Sequence, residues 1–144
     1  MAKSQQMVVS DILELQAIVL DECAVKRGEG EVSEPGSVDS SIEVQSFRED
    51  DDLQYVVKTS HTFQNENNEL IVTIDVSFAA LYQVKDAERA TESHLRRFGE
   101  TRLMLHVIPF LREFLANMTN RLGIPTFYLP LLSRAVDVET KGAS

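Results

Sequence analysis

A chain of 144 residues, 43% of them hydrophobic, suffices for one domain with a real but modest core. Its formal net charge of −9 argues against a nucleic-acid-binding surface, which depends on basic side chains that neutralise phosphates, and no apolar run approaches the roughly 20 residues that span a bilayer. The single cysteine, Cys23, has no second thiol for an internal disulfide, which suits a reducing cytoplasm.

Residues 1–11 read as a polar lead-in. The segment MAKSQQMVVSDILEL has neither the continuous apolar region nor the small-residue cleavage site of a signal peptide, so a cytoplasmic protein is expected. From Ile12 to Lys26 the odd positions Leu13, Leu15, Ala17, Val19, Cys23 and Val25 alternate with Glu14, Gln16, Glu22 and Lys26, the two-residue period of a strand with one wet face. Helical spacing also fits part of this segment, with Ser10-Asp11 as a cap. Asp21 interrupts the apolar face and marks a bulge or a strand end.

Residues 27–41 (RGEGEVSEPGSVDSS) have loop composition, and Ile42 to Phe47 form a short strand. Arg48 to Asp52 (REDDD) is a solvated turn rather than a calcium loop, because spaced oxygen ligands and a mid-loop glycine are missing. The clearest pattern follows. Leu53, Tyr55, Val57, Thr59, His61 and Phe63 alternate with polar residues, and after QNENNE so do Leu70, Val72, Ile74, Val76, Phe78, Ala80, Tyr82 and Val84, facing Thr73, Asp75, Ser77 and Gln83. Two long strands joined by a polar turn make an antiparallel hairpin with one dry face.

From Lys85 the period changes. Asp86 to Arg97 is expected to form a short exposed helix, separated by Gly99 from a long one whose seam is Leu103, Val107, Phe110, Phe114, Met118 and Leu122. Pro109 predicts a kink or a start shortly before it, Gly123 a left-handed cap, and Pro125 a stop. Beyond lies a crowded apolar stretch, Ile124, Phe127, Tyr128, Leu129, Leu131 and Leu132, with no charge until Arg134, and then a polar tail over residues 135–144.

Chemistry is sparse in this pattern. His61, His94 and His106 lack metal-ligand spacing, Cys23 lacks a sequence-local activating partner, and there is no phosphate loop or nucleophile elbow. Adjacent acids such as Asp21-Glu22 and Glu49-Asp50 point apart on strands, so paired acid–base work is disfavoured. No enzyme, cofactor or metal is expected. The informative feature is the apolar excess: Phe47 and the cluster after Gly123 exceed what the sheet and helix need, so they pack at an edge or interface, or line a groove for apolar peptide.

The run Ile108-Pro109-Phe110-Leu111-Arg112-Glu113, with Met118, Arg121 and Pro125 at matching distances, resembles the helix and following loop of the SecB chaperone family. The ending Leu131-Leu132-Ser133-Arg134 and the strand Ser77-Phe78-Ala79-Ala80-Leu81-Tyr82 are more similar to actinobacterial SecB-like chaperones associated with toxin–antitoxin systems. The resemblance covers most of residues 12–134.

It implies an α+β fold in which a four-stranded antiparallel sheet carries a long helix on one face, with a short or missing second helix. It implies a homotetramer, a dimer of dimers, that holds unfolded polypeptide in a groove. Val44, Phe47, Leu53 and Tyr55 would line one side, and Ile124, Phe127, Tyr128, Leu129 and Leu131 the other. On the wet face, Asp75 and approximately Glu22 match carboxylates with which that family meets the SecA translocase, while Lys26 replaces an expected acid. SecA binding is therefore expected to be weak or absent.

The function expected from the sequence is an ATP-independent holdase for non-native polypeptides, related to protein export and translocation. A dedicated antitoxin chaperone and a carrier of a small apolar ligand are the alternatives.

Overall fold

The computed structural model describes residues 12–32, 36–125 and 138–140. Four long strands, β1 (Leu13–Arg27), β2 (Ser37–Glu49), β3 (Asp52–Gln64) and β4 (Leu70–Val84), precede two helical segments, α1 (Glu92–Thr101) and α2 (Leu103–Leu122), and a short strand β5 (Val138–Thr140). The sheet order is β1-β4-β3-β2-β5, with the four long strands antiparallel and β5 parallel to β2. The four-stranded antiparallel sheet with a long helix is as expected; the fifth, short strand, from within the segment read as a polar tail, is not.

The β3–β4 hairpin follows the alternation in the sequence. Leu53, Tyr55, Val57, Thr59, His61 and Phe63 of β3, and Val72 through Val84 at even positions of β4, are buried on the helix side. One side chain organises its turn: the Asn65 carbonyl oxygen accepts the Asn67 and Glu69 amides at 2.9 and 3.0 Å, and Asn68 takes the left-handed conformation (φ 62) that asparagine tolerates.

β1 and β2 lie on opposite sides of this hairpin, and Gly28, Gly30 and Gly36 bond to its end, at the carbonyls of Ile71, Leu70 and Gln64. Gly28 makes the approach: its amide donates to the Ile71 carbonyl at 2.8 Å, and a Cβ there would stand 2.2 Å from the Leu70 carbonyl oxygen.

β2 starts five residues before the strand expected from Ile42. Ser-Val-Asp-Ser-Ser has loop composition, yet its register with β3 is unbroken, and Ser40 meets His61 across the pair. β1 is a strand throughout, which settles the helix-or-strand ambiguity. It carries a register shift at Asp21, where the sequence marks a break, and another at Gln16 that it does not mark. Between the two, Ile18 and Leu20 move to the helix side beside Ala80 and Phe78, while Ala17 and Val19 turn to the other face beside Leu81 and Ala79.

Gly99 does not separate the helices; it is buried inside α1, and the break falls at Arg102, so α1 and α2 read as one long helix bent there. α1 begins at Thr91, whose hydroxyl accepts the His94 amide at 3.2 Å, and it buries Leu95, Phe98 and Gly99 rather than lying exposed. α2 runs through Pro109, seven residues into the helix, and ends as expected on Gly123 (φ 75). Its seam is rotated from the expected one. Leu103, Met104, Val107, Ile108, Leu111, Leu115 and Thr119 are buried, Phe114, Met118 and Leu122 pack only in part, and Phe110 is exposed. The helix is apolar over an arc wider than one seam, so two stripes compete, and packing against the sheet and α1 selects the 104–108–111–115 stripe.

Candidate functional site

The face of the sheet away from the helix was expected to be wet. Its register shows two unlike halves. Toward the β2–β3 turn, cross-strand rows read Phe47–Gln54–Leu81–Ala17 and Gln45–Val56–Ala79–Val19; toward the crossover they read Glu43–Lys58–Ser77–Glu22, Ser41–Ser60–Asp75–Ala24 and Asp39–Thr62–Thr73–Lys26. The two rows named first are largely apolar, while the row nearest the turn, Glu49–Asp52–Gln83–Glu14, and the rows toward the crossover are polar and charged. The sequence carried the signal for the apolar half. Phe78-Ala79-Ala80-Leu81-Tyr82 has no polar break, the mark of a strand dry on both faces.

Beside the apolar rows lies a groove of about 760 Å³, lined by Gln16, Phe47, Arg48, Glu49, Asp52, Leu53, Gln54, Leu81, Tyr82 and Gln83. Arg48 fixes its rim, its guanidinium donating to the Asp50 carbonyl at 2.9 Å and the Ala90 carbonyl at 3.0 Å, which ties the β2–β3 turn to the approach of α1.

The structure divides the residues expected to line a groove together. Phe47 is half-buried and opposite Gln54 on the outer face. Val44, Leu53 and Tyr55 have the opposite parity and are 0, 2 and 0% exposed, so in this conformation they are core, with only Leu53 reaching the groove wall. Ile124 is also buried in the core, held where its amide donates to the Thr119 carbonyl at 3.1 Å just past the Gly123 cap. Phe127, Tyr128, Leu129 and Leu131 lie outside the described residues.

Tyr55 shows why it is core. Its hydroxyl donates to the Leu95 carbonyl, and its ring meets Tyr82 edge-on at 5.9 Å and Phe98 at 5.8 Å. Burial pushes both tyrosine hydroxyls well above their ordinary pKa. The Tyr82 hydroxyl shares a 2.7 Å hydrogen bond with His106 Nδ1, and burial, with a smaller contribution from Arg102, holds His106 below the usual histidine range.

His61 is fully buried in a satisfied chain. The Thr59 hydroxyl donates to the Val76 carbonyl at 2.9 Å, so His61 Nε2 must donate to Thr59 Oγ1, and Nδ1 accepts the Ser40 hydroxyl at 2.8 Å. That arrangement needs neutral imidazole, and burial pushes the His61 pKa down to about 4 against a weaker upward pull from Asp75.

On the polar half, Glu22 and Asp75 occupy one face of adjacent strands, as expected, with Lys58 and Lys26 in neighbouring rows. Asp21 corrects the view that the adjacent acids point apart: at the bulge its carboxylate accepts the Ser77 hydroxyl at 3.1 Å, on the face Glu22 shares. Among the described residues no group of three or more His, Cys, Asp and Glu side chains is placed to hold a metal, and no helix is long and apolar enough to cross a membrane.

A four-stranded antiparallel sheet under one bent helix is the SecB-like α+β architecture. A solved structure of that class matches with a TM-score of 0.75 at 21% identity, covering 88% of this chain and 94% of the other: the Mycobacterium tuberculosis Rv1957 SecB-like chaperone in complex with a ChAD peptide from the Rv1956 HigA1 antitoxin. In sequence, the chain is 31% identical over 100 residues to the SecB-like chaperone Rv1957 of M. tuberculosis H37Rv, 67% of this chain and 52% of the relative. It is 34% identical over 71 residues to the SecB-like chaperone MT2006 of M. tuberculosis CDC 1551, 47% of this chain and 39% of that one. No family model matches. The homologues are thus SecB-like chaperones, as the resemblance implied, and the chain spans about half the length of the curated relatives it matches.

Proposed function

We propose that this chain is a SecB-like holdase that binds non-native polypeptide in extended form, without nucleotide, cofactor or covalent chemistry. The observation that carries the reading is the apolar half of the outer sheet face. Phe47 and Leu81, both half-buried, and the exposed Val19 lie on the side opposite the helix-covered core beside an open groove, with Val56 and Ala79 buried between them. Apolar surface without fixed polar geometry grips many sequences weakly, as a holdase requires. A small-ligand carrier would instead enclose its pocket.

The test is light scattering from a thermally aggregating protein, without nucleotide, with the chain present in equimolar amount. Suppression by the native chain and its loss on Phe47→Ser are expected; full protection by Phe47→Ser would remove Phe47 from the site.

The antitoxin reading has its own support, because the matching solved structure holds an antitoxin peptide. An antitoxin peptide binding at least tenfold tighter than an unfolded secretory precursor would favour it over an export role. A cytoplasmic tetramer follows from the same reading. Leu15, Leu20 and Val25 on β1 and Leu105 and Phe110 on α2 are exposed apolar side chains that a second copy would cover. Sedimentation showing only a 16.2 kDa species at tens of micromolar would exclude it. On the polar half, Lys58 and Lys26 dilute the carboxylates, so SecA binding is expected to be weak or absent.

A further inference from the structure

The two edges of the sheet are built differently. β1 carries register shifts at Gln16 and Asp21, which interrupt its outward row of backbone groups. β2 pairs with β3 from Ser37 to Glu49 without a shift, so its outward row of N–H and C=O groups is regular. Among the described residues that row meets one strand partner, β5, with Val138, Glu139 and Thr140 parallel to Val44, Gln45 and Ser46. Three residues of parallel pairing are a slight hold. The next residue along β2 is Phe47, at the groove on the outer face. A strand lying on this edge and extending past the register of β5 sets alternate residues against the groove side.

We propose that this edge is where the chain takes hold of its client: an extended apolar polypeptide segment adds as a parallel strand along Val44–Phe47, and the chain's own β5 occupies that place until the client displaces it. The inference rests on the holdase reading above and adds to it a backbone contact and an internal competitor. Strand addition suits an indiscriminate binder, because every residue except proline offers the same N–H and C=O, and selection is left to the side chains that fall beside Phe47. β5 then lowers apparent affinity by the fraction of molecules whose edge is covered.

The probe is fluorescently labelled, reduced and carboxymethylated α-lactalbumin, titrated by anisotropy with the full chain, with a chain ending at Asp137, and with full-length Glu139→Pro. The proline variant weakens the β5 ladder without removing a segment, which guards against a truncation that disturbs the fold. Both variants are expected to bind about three- to tenfold tighter than the native chain. Amide hydrogen exchange at residues 44–47 should be faster in the free variants and slowed by the probe. Equal or weaker binding by both variants, or tighter binding without protection at 44–47, overturns the strand-addition inference and leaves the holdase reading standing. Failure of all three proteins to bind the probe refutes the holdase reading, and the inference falls with it.

Discussion

The two faces of one sheet have been solved by different rules. On the helix side the facing rows of β3 and β4 are enclosed, and polar groups buried among them are hydrogen-bonded: Tyr55 donates to Leu95, Thr59 to Val76, and His61 bridges Thr59 and Ser40. On the outer side, apolar residues share rows with Gln45 and Gln54 and border an open groove. The first face is specified by complementarity and should break sharply when altered. The second is generic apolar surface, and changes there should be felt by a partner before they are felt by the fold.

The largest contrast is expected from Leu111→Ala. Leu111 is fully buried in the α2 seam, so the substitution should cost about 2–5 kcal/mol in urea denaturation. A loss below about 1 kcal/mol would mean that the helix-side core repacks freely.

Acid should attack the same face next. With a folded pKa of about 4 against an unfolded value of 6.5, His61 binds fewer protons in the folded state. The stability that follows from its neutrality is complete above pH 6.5 and is lost as pH falls toward 4, on the order of 3 kcal/mol in all. His106, also held low, acts in the same direction. His61→Gln should be less stable at neutral pH but flatter between pH 6.5 and 4; an unchanged slope would place the acid sensitivity elsewhere.

Tyr55→Phe removes one buried donor and leaves the Leu95 carbonyl without it, an expected loss of about 1–3 kcal/mol by thermal or urea denaturation with client protection retained. Phe47→Ser should invert that pattern, costing less than about 1 kcal/mol while abolishing protection. Smallest of all, Asp75→Lys on the exposed polar half should shift stability by no more than about 0.5 kcal/mol and leave client protection intact. Loss of protection in Asp75→Lys would show that the two halves of the outer face are not separate.

Legibility followed the same division. The β3–β4 hairpin and the Gly123 cap could be read because period and cap chemistry are local. The extent of β2 could not, because Ser37–Ser41 are held by cross-strand partners such as His61 rather than by their own propensity. The seam of α2 is not legible for a related reason: a helix apolar over a wide arc does not say which stripe the sheet will take, so the spacing points Phe110 inward where the structure buries Leu111 instead. Phe47 lies on the outer face, whereas Val44, Leu53 and Tyr55, expected beside it, have the opposite strand parity, which sets neighbours in sequence on opposite faces. The outer apolar rows are legible in Phe78–Tyr82, although Asp75 and Ser77 on the same strand set the expectation of a wet face.

The two register shifts in β1 have a consequence for how this chain can tolerate change in length. The fifteen residues of β1 face Val72–Val84, and Gln16 and Asp21 are the two without a counterpart. Deleting both would leave every remaining residue opposite its present partner, so the altered gene product should fold. It would also carry a straight outer strand bearing Leu15, Leu20 and Val25, the kind of uninterrupted template on which identical chains stack. Two residues without a backbone partner thus make the strand a poor template, and filament formation by the double deletion, at a concentration where the native chain stays clear, is the expected sign.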